Sequence, residues 1–209
     1  MLIKICGITN LEDANAAVEA GANALGFNFY VRSPRYISPE AARRIIDEIP
    51  ADVLTVGVFV NEESAAKVQE IAAVSGVAAV QLHGDESPAF AAQLKQHQVI
   101  KAFGVNDGFE PTLAAAFPAN TILLDAFDRR LHGGTGRTID WSIARATREL
   151  VPRLILAGGL SAENVAAAIA KVRPYGVDAC SALESSPGKK DHEHLRSFVV
   201  AARSSSVQT

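Results

Sequence analysis

A thiol and a carboxylate, each closing an apolar run, are the side chains best placed to move a proton. Cys6 ends the run at residues 2–5 and is followed at once by Gly7. A cysteine there either packs as a small hydrophobe or, when ionised, acts as a base or nucleophile. Asp125 ends the run 121–124. A carboxylate after an apolar run needs a partner or a purpose. It either caps or pairs, for example with Arg129, or it exchanges a proton with a ligand. Two small-residue loops suit an anion. Gly158-Gly159 precedes a helix opened by Ser161, and Ser181-Ala182 follows the last apolar run. Bare backbone N–H groups near a helix start are a ready phosphate cradle. No G-x-x-x-x-G-K-[ST] string occurs, so a nucleotide P-loop is not indicated.

Other residues carry two readings each. Arg35, in Ser33-Pro34-Arg35, is a solvated charge unless a ligand needs it. His83, in His83-Gly84-Asp85, is a hydrogen-bonded loop residue or a substrate contact. Asp178 either pairs with an inward strand residue such as Lys4 or touches substrate. His132-Gly133-Gly134-Thr135-Gly136 either assists the phosphate or is simply a loop. His192-Glu193-His194 looks like a metal clip, but residues two apart on a helix diverge and no other ligand supports a metal. A surface role is expected there, as for Arg43-Arg44.

The elements that must position these residues follow from hydrophobic patterning. Apolar runs lie at 2–6, 24–29, 53–60, 77–82, 99–103, 121–125, 153–157 and 175–180, with Ala-rich helical segments between them. Several runs are continuously apolar, as in strands buried on both faces of a parallel sheet. Asn10 with Asp13 caps a helix closed by Gly21, and Ser38-Pro39 and Ser87-Pro88 open two more. Asn61-Glu62-Glu63 is expected at the positive end of a helix running to Val74, and residues 189–203 are expected to form the last helix. About eight β–α units without a linker predict one (β/α)8 TIM barrel domain over residues 1–209. A doubly wound open sheet is the competitor; the count of eight favours the barrel. Only a barrel brings Cys6, His83, Asp125, Gly158-Gly159 and Asp178 to one face.

Composition narrows the partners. With 48% apolar and 21% charged residues the chain is an ordinary globular protein, and a net charge of −3 gives no footprint for nucleic acid or membrane. The longest apolar run is too short to span a bilayer, and the N-terminus has no signal-peptide zones. Two distant cysteines form neither a disulfide framework nor a zinc site, so a cytoplasmic location is expected.

Taken in order, the strings resemble the phosphoribosylanthranilate isomerase family over essentially the whole chain. They are Lys4-Ile5-Cys6-Gly7, Gly26-Phe27-Asn28-Phe29, Ser33-Pro34-Arg35-Tyr36-Ile37, Val56-Gly57-Val58-Phe59-Val60-Asn61 and Val80-Gln81-Leu82-His83-Gly84-Asp85-Glu86. Leu124-Asp125, Gly133-Gly134-Thr135-Gly136, Asp140-Trp141, Leu156-Ala157-Gly158-Gly159-Leu160, Gly176-Val177-Asp178 and Glu184-Ser185-Ser186-Pro187-Gly188 with Lys190-Asp191 complete the series. The resemblance implies a tryptophan-biosynthesis isomerase that performs an Amadori rearrangement on phosphoribosylanthranilate, without cofactor or metal. It implies Cys6 as general base, Asp125 as general acid and Arg35 as the holder of the anthranilate carboxylate. Phosphate is expected on Gly158, Gly159, Ser181 and Ala182, with His83 and Asp178 as further substrate contacts. The base must be partly ionised, and Lys4, on the same side of its strand, is the expected cation. The acid must hold a proton near neutral pH, which burial would favour. The strand-eight loop departs from the family, with Cys180 and Ala182 where Ser and Gly are common. The alternatives are a different phosphosugar barrel enzyme or a barrel that binds a phosphorylated ligand without catalysis. Monomer and homodimer are both compatible with the sequence.

Overall fold

Inward and outward residues alternate along each strand, and that period-two pattern sorts the molecule into two apolar layers. The computed structural model describes residues 1–106, 108–126 and 139–206. Eight parallel strands close in sequence order: β1 (Leu2–Cys6), β2 (Ala24–Asn28), β3 (Leu54–Phe59), β4 (Ala79–Leu82), β5 (Gln98–Val105), β6 (Thr121–Ala126), β7 (Leu154–Leu156) and β8 (Gly176–Ala179). This is the (β/α)8 TIM barrel, not the open sheet. Val56, Ala79, Ile100, Leu123 and Ile155 fill the barrel interior. Ile3, Ile5, Phe27, Leu82, Leu124 and Leu156 point the other way, into the larger cluster beneath the helices. Two residues further up several strands the interior turns polar, with Lys4, Gln81, Asp125 and Asp178 all buried.

The helices begin where local capping chemistry allows. They are α1 (Leu11–Ala20), α2 (Pro39–Ile46), α3 (Ala65–Ser75), α4 (Pro88–Ala92), α5 (Pro111–Ala116), α6 (Trp141–Leu150), α7 (Val165–Val172) and α8 (His192–Ser206). Asn10, Ser38 and Ser87 accept from Asp13, Ala41 and Phe90 N–H respectively, and Gly21 ends α1 at φ 101°. None of the described helices is long and apolar enough to cross a membrane.

Two expectations need correction. Helix α3 is capped by Ser64, which accepts from Lys67 N–H. Asn61 lies outside it at φ 50°. Its carboxamide accepts from Asp85 N–H at 2.7 Å while its own N–H donates to Glu86 at 2.9 Å, so tertiary bonds to the next loop outcompete a helical start. The last helix begins at His192 rather than near residue 189. Lys189–Lys190 (β10) instead pairs antiparallel with Glu184–Ser186 (β9), across a turn in which Gly188 has φ 82°. Asp191 then accepts from Glu193 and His194 N–H and starts the helix.

Candidate active site

Cys6 and Lys4 both point inward from β1, since they are two residues apart on one strand. Barrel closure sets β1 against β8 with Lys4 opposite Asp178, and the Lys4 ammonium lies 2.9 Å from the Asp178 carboxylate. Cys6 is in register with Gly26 on β2; a Cβ built there would lie 2.7 Å from the Cys6 sulfur and 3.1 Å from the Lys4 ammonium. The thiol thus occupies a slot that exists only because Gly26 has no side chain.

Charge in this corner is unevenly shared. The Cys180 thiol, acting as hydrogen-bond donor, and the Lys4 and Lys190 ammonium groups hold Cys6 well below the ordinary thiol value, against the opposing effect of burial. Burial also works against a charged Lys4, but Asp178 and Cys6 outweigh it and raise the lysine. Asp178 is pushed up to about 7, chiefly by burial and further by Cys6 and Asp125, although Lys4 pulls the other way. Two acids therefore compete for one adjacent cation. Asp178 holds the direct ion pair with Lys4, yet its burial keeps the carboxyl protonated into the neutral range, whereas the thiol is lowered by Cys180 and Lys190 as well as by Lys4. The expectation that Lys4 faces Cys6 and the alternative that it pairs with Asp178 are both realised.

Beyond Cys180 the cluster continues outward. Lys190 is buried, with its ammonium 3.0 Å from Glu184, 3.3 Å from the Cys180 carbonyl and 3.8 Å from the Cys180 sulfur. Glu184 also receives the Arg35 fork, Nε at 2.9 Å and Nη2 at 2.7 Å. Burial disfavours the Glu184 charge, but Arg35 and Lys190 overcome it and hold the carboxyl below its usual range. Arg35 is thus a partly buried rim residue pinned by Glu184, not a free surface charge, and its Nη1 is not used by that pair. The β9–β10 hairpin that supplies Glu184 and Lys190 is tied to α1. Asp13 accepts from Lys190 N–H at 2.9 Å and faces His192 at 2.8 Å. His192 of the His-Glu-His string is therefore a structural tether.

The other side is sparser. Asp125 is buried near the end of β6, where one carboxylate oxygen accepts from Ala126 N–H at 2.8 Å and the other lies 3.4 Å from His83 Nε2. His83 follows β4 and reaches Asp125 across β5, whose residue level with Asp125 is Gly104, without a side chain to intervene. Gln81 sits 2.8 Å from His83 Nδ1. With the Gln81 amide donating there, a neutral ring carries its proton on Nε2, facing Asp125. The His83 loop is braced from behind: Lys101 bonds Glu86 at 2.8 Å, and Glu86 accepts from Gly84 and Asn61 N–H. Arg129 and the loop His132–Gly136, named above as a partner for Asp125 and a phosphate aid, lie outside the described residues.

A cleft opens between Asp125 and Asp178, walled by Gly158-Gly159 on one side and Cys180, Ser181 and Ala182 on the other. Gly158 and Gly159 have φ 83° and 62°, and a Cβ on Gly158 would lie 2.6 Å from Ala126 N. This left-handed backbone favours glycine. Among the described residues the N–H groups of both glycines donate to no backbone carbonyl, which leaves them available to an anion. The structure thus gathers Cys6, Asp125, His83, Asp178, Arg35 and the two loops at one end of the barrel. Gln81, Cys180, Glu184 and Lys190 were not singled out from sequence as working parts. Glu184 and Lys190 lie within quoted strings, but no local pattern pairs Arg35 with a residue 149 positions away.

The family model for N-(5'-phosphoribosyl)anthranilate isomerase matches residues 3–201. A protein of that name from Geobacter sp. (strain M21) is 52% identical over 204 residues, covering 96% of this chain and 97% of its own length. The phosphoribosyl anthranilate isomerase structure from Thermotoga maritima superposes with a TM-score of 0.91 at 46% identity, covering 98% of this chain and all of that one. A further structure of such an isomerase, in complex with reduced 1-(o-carboxyphenylamino)-1-deoxyribulose 5-phosphate, has a TM-score of 0.87 at 45% identity, with the same coverage.

Proposed function

The chain belongs to the N-(5'-phosphoribosyl)anthranilate isomerase family, and we propose that Cys6 is the general base and Asp125 the general acid of its reaction. The enzyme catalyses the Amadori rearrangement of N-(5'-phosphoribosyl)anthranilate to 1-(2-carboxyphenylamino)-1-deoxyribulose 5-phosphate in tryptophan biosynthesis. The observation that carries the assignment is a lowered thiol, Cys6, at the end of β1 and a buried, cleft-lining carboxyl, Asp125, near the end of β6, both at the same barrel end.

Asp125 donates its proton to the furanose ring oxygen as the C1–O bond breaks, and the anthranilate nitrogen lone pair forms the Schiff base. The Cys6 thiolate then takes the proton from C2. The electrons of that C–H bond move between C1 and C2 and restore the nitrogen lone pair, leaving an enolamine whose proton shift from oxygen to C1 gives the ketone. Groups on opposite sides of the sugar can perform both transfers without moving. Phosphate binds to the N–H groups of Gly158, Gly159, Ser181 and Ala182, and Arg35 offers Nη1, which lies outside its pair with Glu184, to the anthranilate carboxylate. His83 orients Asp125, and Asp178 faces the sugar from between the acid and the base. Every residue in this scheme lies on one chain, so monomer and homodimer both accommodate it. The two free thiols fit a reducing cytoplasm.

The test follows the loss of substrate fluorescence. Cys6→Ser and Asp125→Asn are each expected to lower kcat by about 100- to 10,000-fold, the usual share of one proton-transfer group, while product still binds. Full turnover in either removes that residue from its role. Arg35→Ala is expected to raise KM by about tenfold or more, the range for a lost charged hydrogen bond, with kcat less affected; an unchanged KM rejects the carboxylate contact.

A further inference from the structure

Cys180 has no part in the proton transfers, yet it shares the corner that makes Cys6 reactive. Ile5 pairs with Ala179 in the parallel β1–β8 ladder, so Cys6 and Cys180 are the next residues along the two neighbouring strands and point to the same inner side. Adjacent strands lie about 4.8 Å apart, inside the Cα separation of about 4.4–6.8 Å that a disulfide bridges. The Cys180 sulfur, 3.7 Å from Glu184, lies close enough to Cys6 to help lower its thiol. Both are free and only partly buried, and Cys180 lines the cleft that leads to solvent. Lys190 lies 3.8 Å from the Cys180 sulfur and, with Lys4, surrounds the pair with positive charge. An accessible thiolate beside cations with a second thiol in reach is the arrangement that reacts with peroxides and resolves to a disulfide.

We propose that Cys6 and Cys180 form a redox modification site, in which a peroxide converts the two thiols to an intramolecular disulfide and shuts the active site until a thiol reductant reopens it. The Cys6 thiolate attacks one peroxide oxygen; the O–O bond breaks and hydroxide leaves, protonated to water. The Cys180 sulfur then attacks the resulting Cys6 sulfenic acid, the S–O bond breaks, and the departing hydroxide takes the Cys180 proton. Two thiols lose two electrons and one peroxide becomes two waters. The shut-off rests on Cys6 being the general base; the formation of the bond does not.

The full-length enzyme and its Cys180→Ser variant are treated with hydrogen peroxide, quenched, and measured by intact mass, non-reducing peptide mapping and turnover before and after dithiothreitol. Each is compared with its own untreated sample. The native enzyme is expected to lose two hydrogens in mass, yield a linked Cys6–Cys180 peptide, fall about 100-fold or more in turnover as for any lost base, and recover with dithiothreitol. Cys180→Ser is expected to yield no linked peptide, to gain oxygen at Cys6, and to stay inactive after dithiothreitol once the irreversible sulfinic acid has formed. Native enzyme that gains oxygen without a linked peptide, or that does not react, overturns the proposal. A linked peptide with undiminished turnover overturns the shut-off and, separately, the assignment of Cys6 as base.

Discussion

The two sides of the active-site rim are built differently. Around Cys6, Lys4, Asp178, Cys180, Lys190, Glu184 and Arg35 form one continuous cluster of charged and thiol groups from the barrel interior to the rim. Around Asp125 there is one backbone N–H and one histidine at 3.4 Å, and among the described residues no lysine or arginine pairs with it. The difference matches the two tasks. A thiol must be pushed toward its ionised form to accept a proton from carbon, which takes nearby cations. A carboxylic acid must keep a proton to give away, and a close ammonium or guanidinium would strip it. Charges thus gather around the proposed base, while among the described residues no lysine or arginine pairs with the proposed acid.

That contrast can be broken from either side. The largest effect is expected for Lys4→Met, which removes the cation nearest both Cys6 and Asp178. Breaking such a buried pair costs about 3–5 kcal/mol of stability, read by denaturant unfolding. It also moves the pH profile. With Cys6 as the proposed base acting as the thiolate, activity is expected to be lost as pH falls through its folded value, which lies below the ordinary 9.0. In Lys4→Met the acidic limb, and the pH dependence of Cys6 alkylation by iodoacetamide, should shift upward toward that value. An unmoved limb would show that Lys4 does not ionise the base.

An intermediate effect is expected at the cleft wall, where shape and not charge sets the outcome. Gly158→Ala forces a left-handed backbone on alanine and drives its Cβ toward Ala126 N. Strain of about 1–3 kcal/mol is expected, with KM rising more than kcat falls, because the disturbed N–H groups are the proposed phosphate donors. Product-binding calorimetry checks this directly, and unchanged affinity would remove the loop from the phosphate site. His83→Asn on the acid side should do least. A single long contact is worth about 1 kcal/mol, or roughly fivefold in kcat. A loss as large as that of Lys4→Met would mean that the acid also depends on a network, and the contrast between the two sides would fail.

Much of the scaffold was legible in the chain because its signals are local. Continuous apolar runs marked the eight strands, and Asn10, Ser38-Pro39 and Ser87-Pro88 marked helix starts through side-chain bonds spanning three residues. The errors fell where distant partners outbid local preference. Asn61 had the composition of a helix start but is held by Asp85 and Glu86 on the next loop. Lys189 and Lys190 had the look of a helical first turn, but β9 and the Asp13 carboxylate claim their backbone. Glu184, the partner of both Arg35 and Lys190, carried no functional sign of its own, since its role is defined wholly by what folds onto it.

The sequence by itself determined that Lys4 and Cys6 share one face of a strand, because side chains repeat every two residues along it. It likewise determined that Gly158-Gly159 can take a left-handed turn at little steric cost. Only the closed barrel decided that β8 lies beside β1 with Lys4 opposite Asp178, and so that Cys180 meets Cys6. Strand alternation is a property of neighbouring residues. Register between strands about 170 residues apart comes from the packing of the whole barrel, and the ionisation of the thiol comes with it.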